Sequence, residues 1–213
     1  MIIDSWPLFG LVLRTSRLEL RLPGLDRLAE LADLAASGVH DPARQPFVAE
    51  WTDRPADEVV RGLIQFHWAA WGAWRPDNWS LNLVAIADGR VIGTQSLDGR
   101  DFVVLREAGT GSWIGRRHQG QGLGTEMRAA VLELAFTGLG ARFVTSEAFA
   151  DNHASYAVSR KLGYTDDGVQ RHVVRGVPVV GRRLRLDRDS WEAARRVPVE
   201  IDGLARCRPL FGL

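Results

Sequence analysis

Sixteen residues from Gly109 to Gly124, reading GTGSWIGRRHQGQGLG, constrain this chain more than any other stretch. They join a short strand pattern to a glycine-rich turn that opens directly into a helix. Gly120, Gly122 and Gly124 carry no side chain, so backbone N–H groups can come close to an anion there, and the unpaired donors at the following helix N-terminus attract negative charge. The helix is legible in turn: Met127, Ala130, Val131, Leu134, Ala135 and Gly138 recur at helical spacing on one face, with Glu126, Arg128 and Glu133 off it. A phosphate site held by a packed helix follows. A P-loop needs Lys and Ser/Thr directly after its last glycine, and Thr125 and Glu126 stand there instead. A dinucleotide fold needs Gly-x-Gly-x-x-Gly near the start of repeated strand–helix units, whereas this chain has Gly-x-Gly-x-Gly once, in its middle.

A third reading is the pyrophosphate of coenzyme A. Arg117-His118-Gln119-Gly120-Gln121-Gly122 resembles the signature of the GNAT superfamily of acyl-CoA N-acyltransferases, Arg/Gln-x-x-Gly-x-Gly/Ala between a strand and a long helix. About 30 residues on, the run from Asn152 through Ser155 and Ser159 to Leu162-Gly163-Tyr164 resembles the second block of that family. The resemblance covers roughly Ser16 to Asp187. Trp113-Ile114-Gly115 and Thr15-Ser16-Arg17-Leu18 are similar to the branch containing the ribosomal-protein N-terminal acetyltransferases. The implied fold is α+β, a central twisted mixed β-sheet flanked by helices. The implied cofactor residues are Arg117, His118, Gln119, Gly120, Gln121, Gly122, Leu123, Gly124 and Thr125 around the pyrophosphate. Main-chain N–H groups near Trp113 and Ile114 would bond the pantetheine arm and acyl oxygen, with Asn152 and Ser155 as further contacts.

With 213 residues and no low-complexity linker, one acyltransferase domain over residues 1–213 is expected, residues 188–213 forming an extension beyond the resemblance. A formal net charge of +1 gives no electrostatic case for nucleic acid or a membrane surface as partner. The single cysteine, Cys207, excludes an intramolecular disulfide, and no Cys/His cluster suggests a metal. The N-terminal run MIIDSWPLFGLVL lacks a basic start and contains Asp4, so it reads neither as a signal peptide nor as a membrane span. A cytoplasmic protein is expected.

Arg17 to Leu22 alternates polar and apolar residues as a half-buried strand does. Asp26 is placed to cap a helix running to about Ala36. Val39 to Asp57 is a proline-containing loop, and residues 57–74 read as a helix with Val60, Ile64, Trp68 and Trp71 along one side. The tryptophans from Trp68 to Trp79 are expected mainly in the core, with an aromatic ligand wall as the alternative. Leu81–Ala87 and Arg90–Leu97 form a hairpin about Asp88-Gly89. Strands are expected over Ala108–Gly115, Arg142–Phe149, Val169–Arg175 and Pro178–Asp187. The tail from Val197 carries too many apolar residues for a solvated segment. It is expected to pack on this domain or on a second subunit, and a homodimer follows from the latter.

Acyl transfer from a thioester to an amine needs a polarised carbonyl, a neutral amine and a proton for the departing thiolate. Asn152, Ser155 and Ser159 share one polar stripe of a helix. The family resemblance puts a tyrosine acid at the position of Ser159 in many members, so a serine donor there is a departure. Glu147, near a strand end, is the candidate base, ahead of Glu107, Asp101 and the histidines His40, His67, His118, His153 and His172. The arginines from Arg171 to Arg196 read as the outer face of strands, not as a basic recognition surface. The expected function is N-acyl transfer from acetyl-CoA, or another short acyl-CoA, to a primary amine by direct attack, without metal. The acceptor is a small-molecule amine or a protein N-terminus. The alternative is a non-catalytic acyl-CoA-binding module.

Overall fold

A computed structural model describes residues 1–213. In chain order the elements are α1 (Ile2–Ser5), β1 (Val12–Arg14), β2 (Glu19–Arg21), α2 (Leu25–Ala36), α3 (Ala56–Gly72), β3 (Asn78–Ala87) and β4 (Arg90–Arg100). There follow α4 (Phe102–Leu105), β5 (Glu107–Ile114), α5 (Leu123–Glu133), β6 (Phe143–Phe149), α6 (His153–Lys161), β7 (Thr165–Val174), β8 (Val177–Asp187), α7 (Arg188–Ala194), β9 (Glu200–Asp202) and α8 (Leu204–Cys207). The strands make one nine-stranded sheet in the order β7-β8-β6-β5-β4-β3-β2-β1-β9. Every pairing is antiparallel except β5 with β6, so the sheet is mixed and the fold α+β.

Two helical layers bury the two faces. Leu28, Leu31, Ala32 and Ala35 of α2, with Val59 and Leu63 of α3, pack on Val84, Ile86 and Val91. On the other face, Met127, Ala130, Val131 and Leu134 meet Leu13, Leu20, Leu81, Leu83, Leu97, Val144 and Leu184. Alternation along each strand divides residues between these layers. Helix α5 is not amphipathic as the spacing suggested. It is sandwiched, and Glu126, Arg128 and Glu133 are buried along with its apolar residues. Asp26 does not cap α2: Gly24 is the N-cap without a side-chain bond, and Asp26 lies in the first turn, where its charge favours the helix N-terminus.

The chain ends differ most from expectation. The segment before Arg17 contributes β1, and the tail contributes β9, which pairs antiparallel with β1 from Val12↔Asp202 to Arg14↔Glu200. Cys207 and Phe211 are buried, and Trp74 Nε1 donates to the Leu210 carbonyl at 2.8 Å. Trp74 and Trp79 stack with centroids 5.9 Å apart, and Phe211 meets the edge of both. The tail therefore covers its apolar residues within its own chain, which removes the packing reason for expecting a subunit interface. Of the tryptophan run, Trp71, Trp74 and Trp79 are in or against the core, while Trp68 is exposed.

Candidate active site

The sheet opens at one place. Strands β5 and β6 are in register only from Glu107↔Phe143 to Gly109↔Thr145. Beyond that row β5 stays with β4 as far as Ile114, and β6 stays with β8 as far as Phe149, so the two halves of the sheet diverge. The wedge is bounded by residues 110–114 and 146–149. Gly115 donates to the Ile92 carbonyl at 2.9 Å, which makes the pairs 92/115 and 94/113 the hydrogen-bonded ones. Trp113 thus spends its N–H on β4, and Ser112 and Ile114 turn theirs toward the wedge. This shifts the sequence reading, which put the free groups at Trp113 and Ile114. The Trp113 side chain instead packs against Trp51, which continues to Phe47 as an aromatic rim.

At the end of β5 the chain makes a short 3-10 turn, Arg116–His118, and then the glycine turn. Gly120 and Gly122 have φ of +75° and +78°, left-handed conformations that suit glycine. Gly122 is the N-cap of α5 and no side chain caps it. The backbone N–H groups from Gly120 to Gly124 donate to nothing in the protein; only Thr125 and Glu126 turn back, to the Gly122 carbonyl. Five donors facing outward at a helix start, beside Arg116 and Arg117, form a cradle for a phosphate group. Gln119 braces the turn, donating to the carbonyls of Val39 and Ile114 at 2.7 and 2.9 Å, so its side chain serves the protein. Burial and the charges of Arg117 and Arg90 hold the His118 imidazole below its ordinary pKa, and it accepts from Arg117 Nε at 3.0 Å.

Thr15 and Arg17 secure this turn from a distant part of the chain. Thr15 Oγ1 donates to Glu126 Oε1 at 2.5 Å, Arg17 N to the same oxygen at 3.1 Å, and Arg17 Nε to Oε2 at 2.7 Å. Arg17 Nη1 also reaches the Gln121 carbonyl at 3.1 Å. Burial works against ionising Glu126, but these donors and the Arg17 charge outweigh it and hold the carboxyl below its usual range. No spacing rule could have joined positions so far apart.

On α6, the Asn152 side chain caps the helix, accepting from the Ser155 N–H at 3.2 Å. Ser159 lies one turn further and is 0% exposed. Its hydroxyl donates to the Ser155 carbonyl at 3.2 Å and accepts from Arg128 Nη1 at 2.9 Å. Arg128 also donates to Ser146 Oγ and Ser112 Oγ, both at 3.1 Å. Sequence reasoning placed Arg128 merely off the core face of its helix.

The opposite face of the wedge carries the carboxylates. Glu147 points toward the α2–α3 side and bonds His172 Nε2, across β8, where Gly181 leaves room that a Cβ would fill. Below it, a cavity of about 380 Å³ is lined by Trp79, Ser80, Asp98, Glu107, Gly109 and Thr145 among others. Asp98 accepts from Ser80 Oγ and, at 2.9 Å, from Ser96 Oγ. Burial pushes its carboxyl pKa up, against the pull of those two hydroxyls. Asp98 was not singled out by sequence. The other histidines lie elsewhere: His40 bonds Thr52 Oγ1 at 2.7 Å, His153 is an exposed first residue of α6, and His67 is buried on α3 with its pKa lowered by burial to about 4.

A profile of the acetyltransferase (GNAT) domain matches residues 17–165. The chain belongs to the GNAT acetyltransferase family and is an acyl-CoA-dependent N-acetyltransferase. Solved structures share the fold. A GCN5-related N-acetyltransferase from Brucella melitensis aligns with a TM-score of 0.68 at 22% identity, over 86% of this chain and 81% of that one. RimL, a ribosomal α-N-protein acetyltransferase in complex with coenzyme A, aligns at 0.66 and 17% identity, over 83% and 97%. MccE, a microcin self-immunity acetyltransferase in complex with acetyl-CoA and AMP, aligns at 0.62 and 18% identity, over 81% and 93%. No helix is long and apolar enough to cross a membrane.

Proposed function

We propose that the enzyme transfers a short acyl group, acetyl in the simplest case, directly from coenzyme A to a primary amine within a ternary complex. The observation that carries this reading is the row of five undirected N–H donors from Gly120 to Gly124 at the mouth of the wedge between β5 and β6. The pyrophosphate lies on that row with Arg117 beside it. The pantetheine arm enters the wedge past Asn152 and Ser155, and the N–H groups of Ser112 and Ile114 hold its amides and polarise the thioester carbonyl. The amine arrives from the α2–α3 face, through the cavity that contains Asp98.

In this arrangement the amine nitrogen attacks the thioester carbon, the C–S bond breaks, and the sulfur leaves with the electron pair. Glu147, paired with His172, accepts the amine proton directly or through water, and the Ser159 hydroxyl donates a hydrogen bond to the sulfur. To do so it turns away from the Ser155 carbonyl. The acceptor is a small-molecule amine or a protein N-terminus. The likeness to RimL favours a protein N-terminus, and the size of the cavity suits a single amine-bearing end in either case. The reading takes residues 1–213 as one catalytic unit acting in the cytoplasm. A homodimer, if formed, would use the exposed valines of the outer hairpin, Val169, Val173 and Val177, and sedimentation giving only the monomer mass would remove it.

Thiol release from acetyl-CoA, followed against a panel of small amines and peptides with free N-termini, tests the reading. Release that depends on one amine class supports it. Absence of amine-dependent release across the panel, in protein that binds coenzyme A, would overturn it.

A further inference from the structure

Three charged residues are buried on α5, and two of them are matched. Glu126 meets Arg17, and Glu133 accepts from Arg195 Nη1 with both oxygens at 3.1 Å. The third, Arg128, is 3% exposed and has no carboxylate. Its partners are three neutral hydroxyls, and its Nε has no partner at all. A guanidinium remains charged under protein conditions, and enclosing it without a counter-charge is strongly unfavourable. The titratable group nearest in effect is the Tyr164 phenol, which burial keeps in its neutral form and which bonds Thr110.

The position of this unmatched charge is specific. Ser112 belongs to β5, Ser146 to β6 and Ser159 to α6, the three elements that bound the wedge. Arg128 therefore places a fixed positive charge on the floor of the opening, at the level where the proposed acyl-CoA site carries its sulfur. An uncharged thioester does not need that charge. The thiolate released in the reaction does.

We propose that Arg128 is the counter-charge for the departing thiolate of coenzyme A, with Ser159 as the hydroxyl that bridges them. In the step the amine forms the new C–N bond and gives its proton to a base or water. The C–S pair passes to sulfur, and the sulfur stays anionic beside the guanidinium until solvent protonates it. No side-chain acid has to surrender a proton, which accounts for a serine, a very weak acid, at position 159. The inference rests on the acyl-CoA reading of the site.

The test is the titration of the coenzyme A thiol while bound, read from thiolate absorbance. In the wild-type complex the thiol should ionise about one pH unit or more below its value in free coenzyme A, the shift expected of an opposite charge within a few ångströms. Arg128→Met should abolish that shift and lower kcat about 100-fold, with the KM for acyl-CoA and calorimetric coenzyme A affinity at mildly acid pH changing only a few-fold. Arg128→Lys should keep most of the shift. A wild-type complex whose thiol titrates as in free solution overturns the proposal, whether or not the methionine variant folds. So does an equal shift in wild type and Arg128→Met. Wild-type protein that fails to bind coenzyme A would instead sink the underlying acyl-CoA reading.

Discussion

Helices α5 and α6 begin in opposite ways, although both are short, follow strands of the same sheet and flank the same opening. At α5 the cap is a left-handed glycine, no side chain turns back, and the first N–H groups point outward unpaired. At α6 the cap is Asn152, whose side chain takes up the Ser155 N–H. A helix start has the same orphan donors in either case. Where the protein satisfies them itself the start is structural, and where it leaves them open beside arginines it is shaped for an anion. The open end requires outside support, and here Thr15 and Arg17, in the turn between β1 and β2, hold it through Glu126.

Gly122→Val should have the largest effect on this contrast. Space is not the obstacle, since a Cβ there would meet only Arg17 Nη2 at 3.7 Å. The φ of +78° is the obstacle, because a β-branched residue resists it and closes the backbone to the phosphate. Coenzyme A affinity should fall by about 100-fold or more, roughly 2.7 kcal/mol, in a protein that still folds. Calorimetry finding unchanged affinity would break the assignment of the open end.

Next comes Ser159→Ala, on the inner side of the closed helix. A hydroxyl that serves the departing sulfur should cost kcat about 100-fold with coenzyme A affinity nearly intact, whereas a packing hydrogen bond contributes about 1 kcal/mol. Single-turnover kinetics separate the two outcomes, and unaffected turnover would remove Ser159 from the mechanism.

Glu126→Gln should loosen the open turn by about 2 kcal/mol of stability, because Arg17 loses its charged partner. The pH dependence sharpens this. A carboxyl held below its usual range contributes stability above its unfolded pKa, near 4.5, and loses it as pH falls through the lower folded value. Wild type should therefore lose this contribution below about pH 4.5, and the glutamine variant should show a flatter acid limb in denaturant titrations. Parallel acid limbs would argue against the tie.

Asn152→Ala should be the mildest change, about 1 kcal/mol of stability from the lost cap. Thermal unfolding would register it. If coenzyme A affinity fell more than Gly122→Val lowers it, the roles assigned to the two helix starts would be reversed.

Much of the fold was legible. The Asp88-Gly89 hairpin, the glycine turn, the Asn152 helix and the outer pair of strands are local patterns, in which the residues that define an element lie within a few positions of each other. Asp98 shows where such reading stops. Counting outward from Ala87↔Arg90 pairs Ser80 with Leu97, which turns Asp98 to the wrong face of the sheet. A bulge at Ile92 of β4, opposite the step from Ala85 to Ile86, shifts the register by one and sets Ser80 opposite Asp98.

The sequence by itself therefore determined the elements between Arg17 and Asp187, their amphipathic faces on α2 and the strands, and the conformational freedom of the phosphate turn, because each depends on local sterics and periodicity. Tertiary structure alone decided which charges on α5 would be matched, that β9 would cover the chain end against β1, and which main-chain groups of β5 would face the wedge. Those outcomes depend on contacts between residues as far apart as Arg17 and Glu126, or Arg128 and Ser159, and on where two strands part. No periodicity along the chain encodes that distance.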